Sequence, residues 1–311
     1  MGFDRHTLVI PDGTRFDEQY IVTTGDVIIG DRCLVQFGIK TDGRIFVGEH
    51  VIIDGNLESK GDIRMDIFSR IRGDVKSNTD VYLGEKVIVD GRLSVGGDLD
   101  VGDSVDVKKG FEAKGWINIR SPIPVVIYIF IYLTQLLKMG HSEDIERILK
   151  EMEENDGDTI PISDKFLFIP NNSIISTQKS KTDGGFRIGK KSNLVGNYEI
   201  KGKVFIDEEV RIQGSIRAEE NVFCGQKVFI AGSLETQGNI RIDDDTIIGG
   251  NITAEQIHLT KTVETKGTMY AKKGVSFITP YDLEAAEKIR RFEEDLDIFD
   301  HINENPEGKH V

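Results

Sequence analysis

The sequence predicts an all-β protein built from two three-sided parallel β-solenoid (β-helix) blocks of about 18 residues per turn, with an α-helical hairpin inserted between them. The first observation is a set of glycine columns. Gly30, Gly48, Gly84 and Gly102 form one, with Asp66 in its series; Gly55, Gly73 and Gly91 form a second; Gly25, Gly43, Gly61, Gly97 and Gly115 form a third. The columns stand seven, six and five residues apart, so each turn carries three bends. The second observation is apolar alternation between the bends, which puts one side of each short extended segment inside. The third is that the same columns return after an interruption, as Gly189 and Gly225 with Asp207 and Asp243, as Gly196, Gly214, Gly232 and Gly250, and as Gly202, Gly238 and Gly274. Such a turn cannot bury its own apolar side, so it is stabilised by stacking on neighbours about 4.8 Å away. Glycine at the bends is expected to supply backbone with positive φ, and Asp is a tolerable substitute there.

Bulk composition narrows the function. The chain has 311 residues, 38% of them hydrophobic, with 33 glycines and few aromatics, which suits a thin β core. A formal charge of −14 argues against nonspecific nucleic-acid binding, which requires a basic surface. Its simpler use is to keep an edge-bearing rod soluble. The two cysteines, Cys33 and Cys224, fall on inward columns, so a disulfide framework is not expected and a reducing, cytoplasmic setting is the default.

Taken in order, residues 1–22 lack the glycine columns. Leu8–Ile10 before Pro11-Asp12-Gly13-Thr14 predicts a strand and turn, a lead-in covering the first solenoid turn. Residues 23–120 form the first solenoid. Its inward columns are Cys33, Val51, Ser69, Val87, Val105; Val35, Ile53, Ile71, Val89, Val107; Ile45, Ile63, Val81, Leu99, Ile117; and Val47, Met65, Leu83, Val101, Ile119. The turn from Asp66 to Asn78 looks irregular and predicts a local bulge.

At Ser121 the pattern stops. Residues 121–157 predict a helical hairpin, with Ser121 as cap and Pro122 and Pro124 near the start. Its first arm is apolar on all sides through Ile123, Val125, Val126, Ile127, Tyr128, Ile129, Phe130, Ile131, Tyr132, Leu133, Leu136 and Leu137. The uncharged run of 15 residues is shorter than the roughly 18–20 that span a bilayer, yet more apolar than a surface helix. Burial against the solenoid or a second chain, placement in a membrane interface, and a buried strand remain open for it. A second arm carries Ile145, Ile148, Leu149 and Met152 on one stripe.

Residues 158–183 predict an irregular connector containing one short strand at Phe166–Pro170. Residues 184–279 form the second solenoid, with inward columns Val210, Val228, Thr246; Leu194, Ile212, Ile230, Ile248; and Tyr198, Ile216, Leu234, Ile252, and a one-residue slip near Ile257 and Leu259. Residues 280–303 predict an amphipathic helix presenting Leu283, Ala286, Ile289, Phe292, Leu296 and Phe299, as a lid on the last turn or a partner-binding helix; 304–311 is a tail.

The repeated segments VGEHVIIDGNLESKGDI, LGEKVIVDGRLSVGGDLDVGDSVDV and VRIQGSIRAEENVFCGQKVFIAGSLETQGNIRI resemble the bactofilins, polymer-forming cytoskeletal proteins with a β-helical core. The resemblance covers roughly two thirds of the chain. It implies a structural, self-associating scaffold that is not an enzyme and needs no cofactor or metal. The chain departs from that family in having two blocks, an apolar insert and a C-terminal helix. Partners so implied are further copies of the chain and, through the insert, membrane lipid or a membrane protein at the inner face of the membrane.

Two other readings stand beside it: a membrane-associated scaffold that does not polymerise, and an acyltransferase similar to the hexapeptide-repeat enzymes. The latter use an aliphatic–glycine motif on all three sides, whereas here Ile29-Gly30, Val47-Gly48, Leu83-Gly84 and Val101-Gly102 mark one corner only. They also use a His general base; His50 and His258 are expected at the solvated surface. The carboxylates Asp243-Asp244-Asp245 are expected on a solvated turn rather than around a cation.

Overall fold

A computed structural model describes residues 5–17, 19–120 and 163–278. These residues contain strands and turns and no helix. The strands, two to four residues each, assemble into one 14-stranded and two 12-stranded sheets. Together the sheets are the three sides of a solenoid of about 12 turns. The hairpin expected at 121–157, the helix expected at 280–303 and the tail at 304–311 lie outside the described residues.

The stacking follows the predicted register. Ile45, Ile63, Val81 and Leu99 pair in sequence across successive turns, as do Ile53, Ile71 and Val89. All of these side chains are buried, and they belong to one continuous core. The predicted columns of the second block, from Leu194 to Ile248 and from Tyr198 to Ile252, are buried in the same way. Like shapes repeated at one strand spacing fill most of the interior with aliphatic side chains, and the buried aromatic rings are few: Phe16, Phe37, Phe168, Phe186 and Tyr198. The slip near Ile257 is present: Asn239 pairs with Gln256, Ile247 with Glu264 and Ile252 with Met269, so that turn is one residue short.

Two local expectations are corrected. The turn after Asp66 has no bulge, because Ile63–Met65, Arg70–Ile71 and Val75–Ser77 pair in register on both sides. Ser69 sits in the valine column because its buried hydroxyl donates to the Gly48 carbonyl at 2.7 Å and accepts the Val51 amide at 3.1 Å. Most glycines of the columns, moreover, do not have positive φ; Gly25, Gly196 and Gly274 are the column members that do. The left-handed residue of each turn lies two places after the first column and is Arg32, His50, Phe68, Lys86 or Ser104 in the first block and Lys191, Glu209, Lys227 or Asp245 in the second, with φ between 55° and 59°.

What the glycines provide is close approach. A Cβ on Gly43 would overlap the backbone of Gly25 one turn below, and one on Gly55 would overlap Gly38. The corners are pulled this tight by a ladder of side chains that bond the next turn's backbone. Asn56 accepts the Asp74 amide, Asp74 that of Arg92, and Asp80 that of Asp98, at 2.7–2.8 Å. Ser215 and Ser233 do the same in the second block, at 3.0 and 3.1 Å. Each such bond satisfies an amide that would otherwise be stranded at a bend.

The order of turns differs from the order in the sequence. In the 14-stranded sheet the first block runs outward from Asp26–Ile29 to Ile117–Ile119, and the second runs outward in the other direction from Phe186–Ile188 to Val275–Phe277. Two strands lie between them. Phe166–Ile169 pairs parallel with Asp26–Ile29, Leu8–Ile10 pairs parallel with Phe186–Ile188, and the two pair antiparallel with each other at Val9 and Phe168. The other sheets reverse direction at the same level, Arg15–Phe16 against Tyr20–Thr23 and Ile174–Ile175 against Lys179–Thr182. The blocks are therefore coaxial and meet at their starting turns.

This overturns two further expectations. The N-terminal lead-in is not only a cover for the first block: its strands Leu8–Ile10 and Arg15–Phe16 lie antiparallel against that block's starting turn and at the same time form the starting turn of the second. The connector is not irregular from residue 163 onward, since Phe166–Ile169 and Ile174–Ile175 complete the starting turn of the first block and Lys179–Thr182 already belongs to the second. Both changes have one physical cause. Each starting turn would expose an apolar edge, and antiparallel pairing closes both edges against each other on all three sides.

Candidate functional site: two open strand edges

With the starting turns closed against each other, both outer ends of the rod are final turns. Ile117 continues the column of Ile45, Ile63, Val81 and Leu99, at most 1% exposed, and Ile119 that of Val47, Met65 and Leu83, at most 4% exposed, yet the two are 47% and 70% exposed, with no further turn among the described residues. Val275 and Phe277 do the same at the other end, at 45% and 63%, where Ile240, Ile242, Ile257 and Leu259 before them are at most 3% exposed. Trp116, 84% exposed, and Phe111 enlarge the first end, and Met269 and Tyr270 the second. Among the described residues each end thus offers a strand edge with no further strand beside it and apolar side chains next to it, the arrangement that templates pairing with another strand.

The flanks have a different character. Lys40 pairs with Glu58, Arg70 and Lys108 with Asp90, Arg72 with Asp54, Lys179 and Lys181 with Glu199, and Arg217 with Glu235, each pair bridging neighbouring turns. Arg70 first and Lys108 second hold the Asp90 carboxyl down at about 2. Exposed pairs of this kind add little to stability and chiefly keep the sides of the rod hydrated.

Other candidate chemistry is dispersed. His50 packs its ring on Phe68 at 4.9 Å, and His258 bonds the Ser276 hydroxyl through Nδ1 at 2.7 Å. They sit in different blocks, on strands or corners with separate neighbours. Asp243 turns toward Arg241 at 3.3 Å, while Asp244 accepts the Thr262 hydroxyl at 3.1 Å, so the acidic triplet does not converge. No group of three or more His, Cys, Asp or Glu able to hold a metal occurs among the described residues. Burial pushes the Cys33 thiol up to about 11 and the Cys224 thiol up to about 12, which leaves both as unreactive core groups. Among the described residues no helix is long and apolar enough to cross a membrane.

The site residues predicted from sequence, Ile123 to Leu137 and Leu283 to Phe299, lie outside the described residues. Each of those segments follows directly on one rod end, at Arg120 and Ile278. The sequence reasoning missed the edges themselves. Their signal was present, because Ile117, Ile119 and Phe277 are the last members of columns that then stop.

Comparison with family models, with curated proteins and with solved structures finds no match for this chain.

Proposed function

We propose that this protein is a structural, self-associating scaffold of the bactofilin-like kind, not an enzyme, that joins end to end through the last turns of its rod and attaches to membrane or to a partner through residues 121–157. The observation that carries this reading is the pair of open, apolar strand edges at the two ends of a charged rod. Magnitudes make the association reversible. Burying Phe111, Trp116, Ile117 and Ile119 recovers on the order of 4–8 kcal/mol after allowing for their partial exposure, against an association cost of about 4–15 kcal/mol. Backbone pairing along the edge supplies the remainder. The uncharged run from Ile123 to Leu137 supports attachment to an apolar phase or surface.

Sedimentation tests both parts. The purified protein is expected to form assemblies much larger than one chain, and the variant Ile119→Lys with Phe277→Lys to sediment as single rods with unchanged β content. Vesicles of mixed zwitterionic and anionic phospholipid are expected to float the parent but not a variant whose residues 121–157 are replaced by an equally long Gly/Ser segment. Simple deletion is unsuitable. The chain must return across six strand spacings of the 14-stranded sheet, about 29 Å, which needs at least about nine extended residues. A parent that sediments as one chain at every concentration overturns the self-association reading, and vesicle binding unaffected by the replacement overturns the role of the insert.

A further inference from the structure

The junction between the blocks carries a relation that the glycine columns alone do not show. Residues 8–43 and 167–202 match at one constant offset, without a gap: Leu8 with Leu167, Ile10 with Ile169, Pro11 with Pro170, Gln19 with Gln178, Thr23 with Thr182, Gly25 with Gly184, Ile29 with Ile188, Gly30 with Gly189 and Gly43 with Gly202. The glycine matches repeat the solenoid columns, but Leu8, Ile10 and Pro11 with Leu167, Ile169 and Pro170, Gln19 with Gln178 and Thr23 with Thr182 lie outside them, so the repeat of the solenoid does not by itself generate the match.

The structure repeats itself at the same offset. Val9 and Phe168, equivalent positions, are paired with each other across the antiparallel contact. Arg15 pairs with Val22 and Ile174 with Lys181, again equivalent. The Asp12 carboxylate accepts the Lys190 amide at 2.8 Å, and the Asn171 side-chain oxygen accepts the Asp31 amide at 3.0 Å. Ser192 donates to the Pro11 carbonyl and Cys33 to that of Pro170, both at 3.1 Å. Gly13 and Asn172 both have positive φ, and their amides donate to Lys190 and Asp31 carbonyls at 2.8 and 2.9 Å. A two-fold axis therefore passes between Val9 and Phe168, exchanging the two 12-stranded sheets.

We infer that the chain is two copies of one subunit joined in tandem, and that the junction is a strand-exchanged dimer interface made intramolecular, which can also be formed between the N-terminal half of one chain and the C-terminal half of a second copy. Each half supplies two strands to the other's starting turn: Leu8–Ile10 and Arg15–Phe16 go to the second block, Phe166–Ile169 and Ile174–Ile175 to the first. The halves are linked covalently only through residues 121–162. Nothing in the pairing depends on which chain supplies the partner half, so the length of that link decides. A long link holds the halves at a local concentration in the millimolar range and favours the single-chain rod. One shorter than the return distance forces pairing between chains.

The test uses the background Ile119→Lys with Phe277→Lys, so that end-on association plays no part and its failure is separate from the failure of this inference. Residues 122–161 are replaced by forty Gly/Ser residues, or residues 120–165 by four, which is too short for the return from Ile119 to Phe166, and mass is read by sedimentation equilibrium. The forty-residue form is expected at one chain and the four-residue form at two or more, with equal β content by circular dichroism. A folded four-residue form at one chain mass overturns the inference. If the four-residue form does not fold, a protease site placed at 153–156 of the otherwise unaltered chain decides. The cut protein is expected to keep both halves together. After unfolding and refolding with an isotopically heavy cut copy, native mass spectrometry is expected to show hybrid pairs in statistical proportion. Halves that part on cutting, or refolded halves that do not pair, overturn it.

Discussion

Replacing Gly43 by alanine is expected to destabilise the rod by roughly 2–3 kcal/mol, in the range of overpacked cores. Gly43 does not have positive φ, so the backbone itself tolerates a side chain. The obstacle is the added Cβ, which would overlap the carbonyl group of Gly25 in the turn below. Backbone on both sides of the contact is fixed by ladder bonds, and neither turn can move without losing them. Gly110 is the converse case. Its φ is +80° and no atom lies within 4 Å of the added Cβ, so alanine there costs only the conformational penalty of about 1–2 kcal/mol. Chemical denaturation followed by circular dichroism separates the two causes. Gly43→Ala is expected to be the more damaging, and a negligible effect at Gly43 would mean that the turns can spread.

Truncating Asp26 to alanine is expected to cost about 2–3 kcal/mol at pH 7, between the values for exposed and for buried ion pairs, because Arg44 remains partly in water. Asp26 is buried at the seam where the chain returns from the insert. Its carboxylate accepts the Arg44 backbone amide at 3.0 Å, Arg44 Nε at 3.1 Å and the Ser163 amide at 3.0 Å, and it also pairs with Arg44 Nη2. Burial by itself would raise the pKa, and the bonds from the Arg44 side chain, then the Arg44 and Ser163 amides, bring it below the ordinary 3.8. A carboxyl lowered in the folded state contributes its full stability above the ordinary value and loses it as pH falls through the folded one. The difference between parent and Asp26→Ala is therefore expected to persist down to about pH 4 and to shrink below it. Hydrogen exchange at residues 163–165 is expected to accelerate in the variant at neutral pH. An equal difference at pH 7 and pH 2 would show that the ionised carboxylate is not what holds the seam.

Period, side count and inward columns were legible because they repeat. Val51, Val87, Ile53 and Ile71 each recur at one interval, and any one turn could be checked against its neighbours. The function of the glycines was misread because sequence marks where glycine stands without distinguishing a special φ from a backbone contact one turn away. The left-handed positions carry Arg32, His50, Phe68 and Lys86, residues that give no sign of that geometry. The junction was hidden for another reason. Its strands are only two to four residues long and belong to no glycine column, and pairing such as Val9 with Phe168 joins segments far apart in the chain. Comparing Leu8-Val9-Ile10-Pro11 with Leu167-Phe168-Ile169-Pro170 would have exposed the duplication from sequence alone.

The distance between the rod ends tests the coaxial arrangement most directly. Spin labels at Asn118→Cys and Ser276→Cys sit on the end strands of the 14-stranded sheet, and Cys33 and Cys224 are buried and do not compete. With labelled chains diluted into unlabelled protein, pulsed electron resonance is expected to give a separation of about 60 Å, thirteen strand spacings along one axis. A separation of about 30 Å or less would place the blocks side by side and contradict the account.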